Sequence, residues 1–136
     1  MATVKLLTQL NVDFEVPETQ TCCGQPMSNT GCVTETIPLI DKFVSEFKEY
    51  DAIICPSGSC TAMIKHQYPI LKAESKNIKQ INEVAHKTYE LCEFLMDVLK
   101  INSLTSVFPH KVGIHQSCHG LRELKLGSDR KSTRLN

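Results

Sequence analysis

Apolar residues recur along this chain first at one spacing and then at another, and each change of period marks a new element. Val4, Leu6, Leu7 and Leu10 suit the back half of a helix over residues 3–10. Residues 12–16, Val-Asp-Phe-Glu-Val, alternate apolar and polar and read as a strand. Pro17 opens a loop that continues through Cys22, Cys23, Gly24 and Pro26. Ile37, Ile40, Phe43, Val44 and Phe47 then share one face of a helix over about 31–48, with the regular part expected to start near Ile37 because Pro38 is tolerated only in a first turn. Residues 51–55 form a short apolar run closed by Pro56, as in a buried strand. A tight loop at 57–60 and one or two helical turns at 61–66 follow. A long helix is expected over about 77–99, its stripe made by Ile81, Val84, Ala85, Thr88, Leu91, Cys92, Leu95, Val98 and Leu99. Residues 111–115 read as a third strand, and 121–126 as the start of another helix.

Strands alternating with helices predict an α/β fold, with a mostly parallel sheet and flanking helices. Sites in such sheets lie in the loops beyond the carboxyl ends of the strands. Cys22 and Cys23 follow the first expected strand, Cys60 the second and Cys118 the third, so the cysteine clusters share that carboxyl edge. The opening segment reads as beginning within a helix, with no strand before it. Residues 128–136 turn abruptly polar and basic and read as a non-native tail, outside the fold reasoning.

Composition changes the picture mainly by exclusion. Lys+Arg and Asp+Glu both number 15, so the formal net charge is zero. A nucleic-acid binder normally carries a basic excess, and an anionic membrane surface needs a polybasic segment. No targeting segment or membrane-length apolar run is visible, which makes the cytoplasm the expected address. Thiols stay reduced there, and the seven cysteines are an odd number, so a disulfide framework is a poor explanation for them. Metal or redox chemistry is the better one.

Cys22-Cys23-Gly24 is the sharpest local signal. Neighbouring side chains in extended backbone point apart, so this pair does not simply chelate one ion. It can meet different irons of a multi-iron cluster if the backbone turns, and Gly24 permits that turn. Zinc is the rival, since it also takes thiolates. Cys60 is a further candidate ligand. Cys55 is either a substitute ligand or a small core residue; the C-x-x-C spacing would require cysteine where Ser57 stands. Cys118 lies between His115 and His119, either of which could ligate metal, hydrogen-bond a cluster sulfur or take a proton. Cys32 and Cys92 read as packing residues, and His66, His86 and His110 as surface.

Taken together, residues 18–26 (Glu-Thr-Gln-Thr-Cys-Cys-Gly-Gln-Pro), 56–60 (Pro-Ser-Gly-Ser-Cys) and 115–119 (His-Gln-Ser-Cys-His) with Arg122 resemble the lactate utilization protein A family. That family falls within the cysteine-rich CCG domain group, alongside the cysteine-rich subunit of heterodisulfide reductase and the iron–sulfur subunits of glycolate oxidase and of anaerobic glycerol-3-phosphate dehydrogenase. The resemblance runs over about residues 2–127. It implies two cysteine-rich domains: 1–109 as the first, lacking its first strand and early cysteine, and 110–127 as the start of the second. Cys22, Cys23 and Cys60 would serve the first cluster site, and Cys118 would be the early cysteine of the second. Ser57 departs from the C-x-x-C of the heterodisulfide reductase relatives, which puts their special cluster type in doubt.

The resemblance further implies a bound iron–sulfur cluster of the [4Fe-4S] type. The function implied is electron transfer while L-lactate is oxidised to pyruvate, in a complex with other iron–sulfur subunits. Glycolate or glycerol-3-phosphate is the alternative electron source. Two other readings stand beside it: a metal-free thiol–disulfide system using Cys22, Cys23 and Cys60, and a zinc-stabilised interaction module. No residue is assigned to abstracting hydride or proton from lactate. By itself the chain is expected to be inactive and to hold no stable cluster, unless Cys55 supplies a fourth thiolate.

Overall fold

The structure is a computed structural model that describes residues 2–101, 103–104, 107–113 and 118–124. Helix α1 spans Ala2–Gln9. It is stopped by Asn11 at φ 53°, while the N–H groups of Asn11 and Val12 return to the carbonyls of Thr8 and Leu7, both at 3.1 Å. Asparagine tolerates this left-handed turn, which satisfies the last carbonyls of the helix.

The alternation holds in burial over residues 12–15, fails at the exposed Val16, and does not make a strand. Val12 and Phe14 are half-buried and Asp13 and Glu15 exposed, yet the segment has no regular structure and no described strand beside it. It is held by side chains instead: the Tyr50 hydroxyl donates to Glu15 at 2.8 Å. The short helix α2, Gln25–Asn29, and helix α3, Val33–Phe47, come next. α3 starts earlier than expected, with Pro38 inside it. Ile40 and Val44 pack inward, and the buried Thr36 hydroxyl donates to the Cys32 carbonyl at 2.8 Å, closing the first turn.

Strand β1 is Ile53–Cys55 and strand β2 is Thr88–Glu90. They pair in parallel, Ile53 opposite Thr88, Ile54 opposite Tyr89 and Cys55 opposite Glu90. Among the described residues this two-stranded parallel sheet is the sheet of an α/β arrangement. β2 interrupts the long helix expected over 77–99. α6 covers Ile78–His86 and α7 only Leu91–Glu93, followed by a π-helical turn at Phe94–Val98. The break has a local cause. Thr88 is buried and its hydroxyl bonds back to the Val84 carbonyl at 2.7 Å. Glu90 then restarts the helix with a capping box: its carboxylate accepts from the Cys92 N–H at 2.7 Å, and Glu93 accepts from the Glu90 N–H at 3.1 Å.

Between the strands runs one continuous helical rod, made of α4 (Gly58–Ala62), a π-helical turn (Met63–Gln67) and α5 (Tyr68–Leu71). It extends well past the turns expected at 61–66. Pro69 lacks an N–H and crowds the carbonyl one turn back, and the wider π turn immediately before it makes room. Ile40, Val44, Ile53, Met63, Ile64, Tyr68, Ile81 and Val84 form the core between α3, the sheet, the rod and α6. Each such fully buried aliphatic side chain is worth roughly 1.5–3 kcal/mol.

The third expected strand is absent at residues 111–113, which have no regular structure, and its last two positions lie outside the described residues. Helix α8 runs over Cys118–Arg122, earlier than the helix expected from Leu121, and packs against α4. Residues 128–136 lie outside the described residues. Among those described, no helix is long and apolar enough to cross a membrane.

Candidate metal centre

The site grows from a turn and a strand end. Gly24 sits at φ 82°, and a Cβ there would lie 3.0 Å from the Thr36 methyl. Glycine is therefore needed both for the left-handed turn and for the close approach to α3. The turn separates the neighbouring cysteines. Cys23 is 6% exposed and joins the core, whereas Cys22 is exposed and its sulfur accepts the Gly24 N–H at 3.5 Å. The Cys23 carbonyl is not orphaned by burial: the Tyr68 hydroxyl, on a residue with 0% exposure, donates to it at 2.9 Å. Burial first, and the nearby cysteines second, push the Tyr68 phenol up, so it remains a donor.

Cys55 closes β1, and Cys60 lies in α4 immediately beyond. Both pack against the core cluster that contains Cys23. The thiols of Cys23 and Cys55 are each within hydrogen-bonding reach of the Cys60 sulfur. Those two donors, Cys23 first, hold the Cys60 thiol well below its ordinary range, helped by the hydroxyls of Ser57 and Ser59 and opposed by burial. The reverse holds for the donors. Bonding to Cys60 and then burial push Cys23 and Cys55 up. Among these three sulfurs, the charged form is thus favoured at Cys60 over Cys23 and Cys55. Thr61, fully buried, ties the strand end to the helix by donating to the carbonyls of Cys55 at 3.3 Å and Ser57 at 2.9 Å.

A group made of metal ions fits this donor set. The gathered atoms are soft sulfurs, and cationic charge among them would let all ionise, because metal ligation deprotonates thiols. Among the described residues, no three His, Cys, Asp or Glu side chains are set to hold one ion.

The expected site residues divide accordingly. Cys23 and Cys60 are brought into contact, with Cys22 beside them, but Cys22 and Cys23 do not follow a strand. Cys55 belongs with this group. Cys118 is exposed at the start of α8, next to Cys60's helix α4. His119 approaches Glu123 at 3.7 Å and lines a polar pocket of about 180 Å³ with Gln25, Ser28, Asn29, Met63, Gln67 and Glu123. His115 lies outside the described residues. Cys32 and Cys92 are both exposed, not core. Cys32 precedes the first turn of α3, and β2 breaks the stripe that would have buried Cys92. His66, His86 and His110 are exposed, as expected. The sequence reading missed Tyr68, Thr61 and the hydroxyls of Ser57 and Ser59; Tyr68 follows Lys65, His66 and Gln67, which do not mark it as buried.

Comparison with known proteins agrees with the motifs. Residues 1–65 match the CCG family, described as a cysteine-rich domain. Lactate utilization protein A of Bacillus thuringiensis (strain Al Hakam) and of Bacillus cereus (strain B4264) are each 40% identical over 124 residues, covering 90% of this chain and 52% of theirs. Lactate utilization protein A 1 of Bacillus anthracis (strain A0248) matches to the same extent. The chain thus spans about half the length of the curated relatives it matches. No solved structure matches it significantly. Residues 1–65, which contain the paired cysteines, the strand end and Cys60, are similar to the cysteine-rich CCG domain family, within a chain similar over nine-tenths of its length to lactate utilization protein A.

Proposed function

We propose that this chain is part of an iron–sulfur electron-transfer subunit acting in L-lactate oxidation to pyruvate. The observation that carries the cluster reading is the convergence of Cys23, Cys55 and Cys60 beside the exposed Cys22. Cys22, Cys23 and Cys60 would hold a [4Fe-4S] cluster, with Cys55 in the fourth place. A cluster supplies one-electron transfer at a potential set by charge, hydrogen bonds and exposure.

The chain's own residues do the rest. Burial of Cys23, with Cys55 half-buried beside it, shields the inner side of the site from water. The hydroxyls of Ser57 and Ser59 donate to the Cys60 sulfur, which stabilises its negative charge. Cys22 marks the open side, where an electron partner can approach.

The lactate assignment rests on the relatives' names and on the motifs at residues 18–26 and 56–60. It brings with it other iron–sulfur subunits as partners, a cytoplasmic address where thiols stay reduced, and Cys118 as the early cysteine of a second domain. Titrating the anaerobically purified full-length parent with L-lactate, glycolate and glycerol-3-phosphate, in the presence of its partner subunits, tests the assignment. Reduction of the visible chromophore by L-lactate alone is the expected result. A response to glycolate or glycerol-3-phosphate instead would move the protein to a sister branch. Colourless, zinc-containing protein would replace the cluster reading with a structural zinc module.

A further inference from the structure

The Tyr68 hydroxyl reaches across the core to the backbone of the paired cysteines. It donates to the Cys23 carbonyl at 2.9 Å, and Tyr68 is completely buried. Its ring is seated edge-on against Phe43 of α3, centroids 5.7 Å apart at 77°, so its direction is fixed. Tyr68 opens α5, on the same unbroken rod that carries Cys60 in α4. The π turn between them, Met63–Gln67, sets how far the rod rotates from one to the other.

We propose that Tyr68 is a positioning residue for the paired cysteines: it clamps the Cys22–Cys23–Gly24 turn to the rod, so that one rigid element fixes both the Cys60 sulfur and the Cys23 sulfur. Without the clamp, the Cys23 carbonyl is a buried acceptor with no partner, and that cost is relieved when the peptide swings toward water. Such a swing carries the Cys23 sulfur out of the core and away from Cys60. A hydroxyl that merely satisfied itself would affect stability without changing which cysteine is accessible.

The clamp is a property of the protein before any cluster is bound, and only the final arm of the test rests on the proposed function. Native-state alkylation of the cluster-free chain, followed cysteine by cysteine by mass spectrometry, reads it directly, with exposed Cys32 as internal control. Tyr68→Phe keeps the ring and removes the donor. The expected result is a rise of about tenfold in the Cys23 rate, the scale of one lost buried hydrogen bond, with Cys32 unchanged. A Cys23 rate equal to that of the unaltered chain would overturn the proposal. Should Tyr68→Phe not fold, Phe43→Leu loosens the ring seat while keeping the hydroxyl. A several-fold selective rise at Cys23 is then expected, and no change overturns the proposal. The last arm reconstitutes both proteins anaerobically with iron and sulfide and compares their electron paramagnetic resonance spectra after reduction. A shifted or broadened spectrum for Tyr68→Phe supports the clamp, and identical spectra count against it. If neither protein takes up iron while the Cys23 rate still rises, the clamp stands and the cluster reading falls.

Discussion

Gly24 carries two requirements at once, a left-handed backbone and the absence of a Cβ against Thr36. Gly24→Ala should therefore destabilise the chain by about 1–3 kcal/mol, the scale for a strained non-glycine residue, measured by urea unfolding of the cluster-free protein. Unchanged stability would mean that the turn is not built as described. Cys60 has the opposite character: its neighbours favour charge on it. Accepting from Cys23 and Cys55 keeps its thiol low, so it stays ionised as pH falls through neutrality, when an ordinary exposed thiol is protonated. Iodoacetamide at slightly acid pH should label Cys60 ahead of Cys32. Equal labelling that rises in parallel with pH would show that Cys23 and Cys55 do not lower the Cys60 thiol. In the full-length parent, Cys60→Ser should abolish visible cluster absorbance, whereas Cys92→Ala, at an exposed position beyond β2, should retain it. Equal loss in both variants would show that one has been misread.

At the scale of elements, β2 decides the difference between expectation and fold. Its residues continue the apolar spacing of α6, so Thr88 and Leu95 fit one helical stripe from Ile81 onward. Periodicity reports which side is buried, and here both a helix and the short strand after it bury the same side. What breaks the helix is not in the period: it is Thr88 folding its hydroxyl back on Val84 and Glu90 restarting the chain with a cap. The cap at Glu90 and Glu93 was not read from the sequence, since a capping box ordinarily opens on Ser or Thr. Residues 12–16 show the converse: alternating burial holds over residues 12–15 but fails at the exposed Val16, and strand pairing depends on a neighbour that the segment itself cannot specify. The rod's extension past His66 was not read, because the π turn that tolerates Pro69 has no simple sequence signature. Glu93 holds two of these features together, accepting from the Glu90 N–H and pairing with Lys65 of the rod at 2.7 Å. Lys65 also lies over the Tyr89 ring, 5.5 Å from its centroid. Glu93→Ala should cost about 1–2 kcal/mol, the loss of a cap and a partly buried partner together. The unfolding midpoint in urea checks this, and no shift would show that β2 is held by its ladder alone.

Across the whole molecule, the motifs at residues 18–26 and 56–60 made the grouping of Cys23 and Cys60 legible, because clustered cysteines in a chain of this composition are few. Which thiols meet was less legible, since Cys55 and Cys60 differ only in how a strand end passes into α4. The fold packs Cys55 and Cys60 against the same core cluster as Cys23, so the chain taken alone tests whether Cys55 supplies the fourth thiolate. The most direct measurement is anaerobic reconstitution of the purified chain with iron and sulfide, then desalting and analysis of retained metal and acid-labile sulfide. The account expects iron and sulfide retained together in a brown protein, lost on Cys60→Ser and weakened on Cys55→Ser. Protein that emerges colourless and free of sulfide, or retention indifferent to Cys60, would contradict it.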